Sequence, residues 1–158
     1  MGNTKIISIG NGGKNILESI RKDFPSDITT ASLCADSGKI TDITFNQMIS
    51  DDLTKLVLVS CLGGRSSTIV PEVVKTAKKR SIECLCVCIM PFSTEGEEIC
   101  LSAEKTLGQI KTNADILIIL KNDLILERYG DLFINQAFRK MDALVWKLIK
   151  EYVIENKL

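Results

Sequence analysis

The chain has 158 residues, of which 45% are hydrophobic and 25% charged, the balance of an ordinary soluble globular domain. Twenty basic residues offset twenty acidic ones, so no overall field draws the protein to nucleic acid or to an anionic membrane. Histidine is absent, which removes Ser-His-Asp and Cys-His catalysis and the commonest metal ligand together.

Taken in order, residues 5–9 predict a short strand and Gly10-Asn11-Gly12-Gly13-Lys14-Asn15 the turn after it. A helix is expected over about 15–23, with Ile16, Leu17 and Ile20 at helical spacing and Phe24-Pro25 ending it. Residues 29–34 read as a second strand closing on Ala35-Asp36-Ser37-Gly38, and a helical turn is expected near 46–49. Leu56 to Cys61 is an unbroken apolar run, as in a strand covered on both faces. A glycine turn follows, then a helix over about 69–80 with Pro71 in its first turn and Ser67 or Thr68 as its cap. Residues 83–90 form a fourth strand ending at Pro91-Phe92. A helix over about 95–112 carries Ile99, Ala103, Leu107 and Ile110 on one face. Residues 115–120 are a fifth strand, and Lys121-Asn122-Asp123 turns into a short helix that breaks at Gly130. One helix then runs from about Asp131 to the end, its stripe being Ile134, Phe138, Met141, Val145, Leu148, Ile149 and Tyr152. Its expected length is roughly 38 Å. The alternation implies an α/β fold: three layers, a mainly parallel Rossmann-like sheet, helices on both faces and a long C-terminal helix.

No apolar run reaches the roughly 20 residues that span a bilayer, and residues 1–5 lead into a strand, not a leader peptide. Gly2 lacks the downstream Ser or Thr of a myristoylation pattern. A cytoplasmic protein without membrane insertion is therefore expected. Of the six cysteines, Cys84, Cys86 and Cys88 alternate along one strand face. No second pair stands at zinc-site spacing, so the cysteines read as buried thiols and no metal ligand is assigned.

The two glycine turns, Asp36, residues 91–96 and Asn122 all fall at the carboxyl ends of strands, where open parallel sheets bind ligands. Free backbone N–H groups and the positive ends of helix dipoles suit a phosphate there. The plain alternative is that any such sheet needs turns at these points. A Walker loop fails, because Asn15 follows Gly13-Lys14 and Ser8 stands where glycine is required. Gly10-x-Gly12 with Asp36 is a partial dinucleotide fingerprint, with Asn15 in place of its third small residue. A Rossmann-type oxidoreductase thus stays as a lesser reading.

Ile6-Ile7-Ser8-Ile9-Gly10-Asn11-Gly12-Gly13-Lys14-Asn15 resembles the first phosphate loop of FtsZ, the bacterial relative of tubulin. Ala35-Asp36 is similar to that family's Thr-Asp, and Leu62 to Thr68 lies where it has Gly-Gly-Gly-Thr-Gly-Thr-Gly. Pro91-Phe92-Ser93-Thr94-Glu95-Gly96 resembles its Pro-Phe-x-x-Glu-Gly, and Asn122-Asp123 its Asn-Asp. The resemblance implies that 1–158 is a single nucleotide-binding domain taking GTP or GDP, with Mg accompanying GTP. It places Asn11, Gly12, Gly13, Lys14, Asn15, Gly63, Gly64, Arg65, Ser66, Glu95, Asn122, Phe138 and Asp142 at the nucleotide, Glu95 on the ribose, Phe138 and Asp142 on guanine. Each has a plainer reading: Glu95 at a helix N-terminus, Phe138 in the core, Asp142 solvated, Asn122 a helix cap.

Three departures shape the expected function. Leu62, Ser66 and Thr68 replace glycines, and Arg65 replaces a threonine; its guanidinium suits phosphate, although its bulk could fill the site. Residues 37–54 contain nothing like the loop that senses the γ-phosphate, and Ile99 replaces an Arg. The family's second domain and its Asn-x-Asp-x-x-Asp catalytic loop are not found, so no catalytic residue is assigned. The expectation is weak GDP or GTP binding with little or no hydrolysis, linked to cell division or filament regulation. Partners would be the chain itself or a full-length FtsZ-type protein. The alternative is a nucleotide-free module that modulates such filaments.

Overall fold

A computed structural model describes residues 3–34 and 46–155. Ala35, Asp36 and the expected polar stretch up to residue 45 lie outside the described residues. Period-two burial builds the centre of the molecule. Strands β1 (Asn3–Ile9), β2 (Thr29–Leu33), β3 (Leu53–Cys61), β4 (Glu83–Met90) and β5 (Ile116–Lys121) form one sheet in the order β2-β1-β3-β4-β5. Every pairing is parallel; Ile7 lies opposite Ala31 and Leu58, Leu58 opposite Cys86, and Cys86 opposite Leu117.

Leu56, Leu58, Cys84, Cys86 and Cys88 point to one face, where α2 (Val70–Lys79) and α3 (Glu97–Lys111) cover them with Val70, Val73, Val74, Ala103, Leu107 and Ile110. Val57, Val59, Leu85, Val87 and Ile89 point to the other, against α1 (Gly10–Ile20) and α5 (Ile134–Val153). Leu56, Val57, Leu58 and Val59 are at most 1% exposed. Burial on this scale contributes about 1.5–3 kcal/mol per side chain, which makes β3 the axis of the core. The short helix α4 (Asn122–Tyr129) joins β5 to α5 and ends at Gly130. The three-layer α/β arrangement and the long last helix agree with the sequence reading. Among the described residues no helix is long and apolar enough to cross a membrane.

Helix beginnings differ from expectation. The turn expected over 10–15 is the first turn of α1, because Gly10 at φ +82° completes the change from strand to helix in one residue. Ser67 and Thr68 do not cap α2; they lie in a 3₁₀ turn, Ser66–Ile69, and their hydroxyls donate to the carbonyls of Gly64 and Arg65 at 2.7 Å each. Pro71 does sit in the first turn of α2. Another 3₁₀ turn, Ser93–Glu95, is separated from α3 by Gly96 at φ +117°. Ile99 and Ile134, both expected on buried stripes, are 38% and 60% exposed in the first turns of their helices. Ala137 takes the buried position one turn into α5, and the helix spans about 30 Å. Cys84, Cys86 and Cys88 are buried, Cys61 and Cys100 half-buried, and Cys34 exposed.

Candidate functional site

Chain order reverses between β1 and β3: the chain leaves β1 for β2 on one side and returns to β3 on the other. Such a switch point opens a crevice at the carboxyl ends of the two strands. Two buried serines tie β1 to its two neighbours near those ends. Ser60 Oγ on β3 donates to the Ile9 carbonyl at 3.0 Å, and Ser8 Oγ on β1 shares a hydrogen with Ser32 Oγ on β2 at 2.8 Å. Satisfied hydroxyls at these positions bring the start of α1 and the turn after β3 to one rim.

The cleft there has two halves. The first, about 430 Å³, is walled by Gly10, Asn11 and Gly12 on one side and by Gly63, Gly64, Arg65, Ser66 and Ser67 on the other. The second, about 420 Å³, lies between α1 and α5 and is walled by Asn15, Phe92, Asn122, Phe138, Met141 and Asp142. Gly12, Cys61 and Glu95 line both.

Backbone chemistry in the first half favours an anion. The N-cap of α1, Ile9, supplies no side-chain acceptor, so no N-cap side chain takes up the first-turn amides of α1. Across the cleft, the Gly64 and Arg65 carbonyls are taken up by the Ser67 and Thr68 hydroxyls. The amides of Gly63, Gly64 and Arg65 donate to no backbone carbonyl among the described residues. Repelling oxygens are thus occupied while donors remain, which is the arrangement an anion needs. Gly63 sits at φ +99°, and a Cβ there would come within 2.7 Å of Ile99 Cγ2. Gly64 has open space to 4 Å.

The second half combines an aromatic wall with unspent acceptors. Phe92 and Phe138 meet edge to face, their centroids 6.2 Å apart. Asn122 Oδ1 is buried without a hydrogen-bond partner among the described residues. Burial raises the Asp142 carboxyl above its ordinary range, opposed by a hydrogen bond from Ser19. Cys61 forms the floor; burial, then the charges of Asp142 and Glu95, push its thiol up to about 12, so it stays protonated.

Two tethers shape this wall. Glu95 Oε1 accepts the Phe92 N–H at 2.8 Å and closes the 3₁₀ turn. Asp123 accepts from Ser93 N at 3.0 Å and from Ser93 Oγ at 3.3 Å, tying the end of β5 to the loop after β4. In the Asn-Asp pair, then, Asp123 braces the loop and Asn122 faces the cleft.

Of the thirteen residues named from the sequence, eleven line one half or the other. Gly13 is buried instead against β3, where a Cβ would lie 2.4 Å from the Val59 carbonyl, and Lys14 is exposed on α1; neither lines the cleft. Sequence reasoning missed Gly10, Ile16, Cys61, Leu62, Ser67, Phe92, Ile99 and Met141 as lining residues. Cys61 was the most legible of these, being the last residue of a strand directly before a glycine turn.

No group of three or more His, Cys, Asp or Glu able to hold a metal stands among the described residues. Among the described residues the first half offers one carboxylate, Glu95, already committed to Phe92 N–H, so this donor set does not fit a protein-held Mg²⁺.

No protein-family profile matches the chain. It is 36% identical to the cell division protein FtsZ of Methanothermobacter thermautotrophicus over 97 residues, 60% of this chain and 26% of that protein. It is 34% identical to the cell division protein FtsZ of Aquifex aeolicus over 100 residues, 61% of this chain and 27% of that one. The solved structure of an empty FtsZ dimer from M. jannaschii matches with a TM-score of 0.83 at 17% identity, over 97% of this chain and 55% of that chain. The chain therefore spans about a quarter of the length of the curated relatives it matches and about half of the solved chain. Sequence and fold together support an FtsZ/tubulin-like domain covering part of the chain.

Proposed function

We propose that this FtsZ/tubulin-like domain binds a guanine nucleotide, with the phosphates in the first half of the cleft and the base in the second. The unpartnered Asn122 Oδ1 carries the reading. A buried acceptor left unpaired costs about 1–3 kcal/mol, and a ligand N–H removes that cost. Asp142 is a second acceptor on the same half, and Phe138 offers a face for a ring. Two acceptors lining the same half suit guanine, whose N1–H and N2–H₂ both donate along one edge. Adenine presents a single donor group there.

Asn11, Gly12, Gly63, Gly64 and Ser66 surround the phosphates, Arg65 stands beside them, and Glu95 lies between phosphate and ribose. Asn15 borders the base. Lys14 reaches the nucleotide only if its flexible side chain folds back over the rim. Binding is weak, because Leu62, Ser66 and Thr68 leave fewer glycine positions for close backbone approach than the resemblance implies. Hydrolysis is slow or nil, because the one carboxylate beside the phosphates among the described residues already holds Phe92 N–H. The role is in cell division or filament regulation.

Thermal melts with millimolar GDP, GTP, ATP and NAD test this. An upward shift of several degrees with the guanine nucleotides alone is expected, and no shift with either of them overturns the reading. A second reading, a nucleotide-free module acting on FtsZ-type filaments, is favoured by Phe133 and Ile134, 80% and 60% exposed at the start of α5. It predicts co-sedimentation with FtsZ polymers and no nucleotide shift.

A further inference from the structure

The cleft holds one cation among its described lining residues, and it is Arg65. Glu95 and Asp142 are the carboxylates. Glu95 is tethered to Phe92 N–H and Asp142 is in the other half, so among the described residues the phosphate half has a single mobile charge, Arg65, facing it. Arg65 is exposed and forms no ion pair among the described residues. Its own carbonyl is bound by Thr68 Oγ1, and its amide donates to no backbone carbonyl. The residue therefore presents an uncommitted guanidinium and an uncommitted N–H on one wall of a 430 Å³ cavity. A diphosphate bound against backbone amides alone would keep most of its negative charge, and among the described residues no carboxylate set stands ready to hold a divalent cation against it.

We infer that Arg65, in place of a divalent cation, supplies the counter-charge to the ligand's diphosphate, so that the cleft takes a nucleoside diphosphate in metal-free form. The inference rests on the nucleotide reading above and sharpens it. The guanidinium presents several N–H donors in a fixed plane, matching two oxygens of one phosphate or one from each of two. Binding is then governed by salt and by the guanidinium, not by magnesium.

The test uses the whole chain and N-methylanthraniloyl-GDP as a fluorescent probe, titrated in millimolar EDTA and again in millimolar MgCl₂. The wild-type dissociation constant should agree within about twofold between the two buffers. Arg65→Ala should weaken binding by about tenfold or more in both, Arg65→Lys should fall between, and inorganic pyrophosphate should displace the probe from wild type better than from Arg65→Ala. Arg65 is exposed, so the variants should melt with wild type, which separates lost binding from lost folding. A wild-type affinity that rises about tenfold with Mg²⁺, or an Arg65→Ala variant that binds as tightly as wild type, overturns the inference while leaving the nucleotide reading in place. Absence of probe binding to wild type in both buffers overturns both.

Discussion

The two glycine corners meet at one rim yet obey different constraints. At the β1–α1 corner the glycines are pressed against β3. A Cβ on Gly13 would lie 2.4 Å from the Val59 carbonyl, and one on Gly12 2.6 Å from Cys61 Sγ. At the corner after β3, only Gly63 is confined, by its positive φ and by Ile99, and Gly64 faces open space. Glycine demanded by packing leaves no substitute, whereas glycine facing solvent or ligand does. This is why the second corner keeps its shape with Leu62, Ser66 and Thr68 in it. Leu62 is 3% exposed and its amide donates to Ile89 O at 2.8 Å, while the hydroxyls of the 3₁₀ turn satisfy the loop's carbonyls.

Breaking the packed corner should have the largest effect. Gly13→Ala forces α1 away from the β3 backbone and should cost about 2–3 kcal/mol, lowering Tm by roughly 5–10 °C in a thermal melt. An unchanged Tm would mean that α1 is not seated on β3 as described. Next comes Gly63→Ala, expected to cost about 1–2 kcal/mol from its backbone strain and the approach of Ile99. Combining it with Ile99→Ala should recover part of that loss, and strict additivity would show that the contact is not the cause.

Asp142 on α5 faces α1, where it meets Ser19, and is predicted to have a smaller effect. Burial raises its folded-state pKa above the ordinary 3.8, so its contribution to stability is full below that value and declines as pH rises through the raised one. Asp142→Asn removes the decline, and Tm at pH 7 should rise by about 1–2 °C with little change at pH 3. An equal rise at both pH values would point to a cause other than ionisation. At the open corner, Gly64→Val should leave stability within about 0.5 kcal/mol of wild type while abolishing the melt shift given by GDP. A retained shift would remove Gly64 from the phosphate wall.

Much of this fold was legible in the residue pattern. The strand Glu83–Met90 was read with its observed bounds, and the shared face of Cys84, Cys86 and Cys88 follows from a period of two. The start of α1 was not legible, because a run containing Gly10, Gly12 and Gly13 has low helix propensity and reads as a turn. Contact with β3 overrides that propensity. Ser67 and Thr68 carry the residue types of helix caps, and their hydroxyls donate to carbonyls instead, because a 3₁₀ turn precedes α2. In the site, Asn122 could be named from the Asn-Asp pair, but the division of labour that leaves Asn122 Oδ1 unpartnered while Asp123 braces Ser93 depends on two loops thirty residues apart.

By itself the sequence determined the layers: β3 and β4, buried on both faces, leave an unbroken apolar run, and helices closing on a sheet leave stripes at helical spacing. Tertiary structure decided which glycines are obligatory, where helices begin and which polar atoms stay unspent. Each of these turns on an atom brought from elsewhere in the chain, Val59 O against Gly13 or Ile99 Cγ2 against Gly63, and local composition carries no trace of such a neighbour.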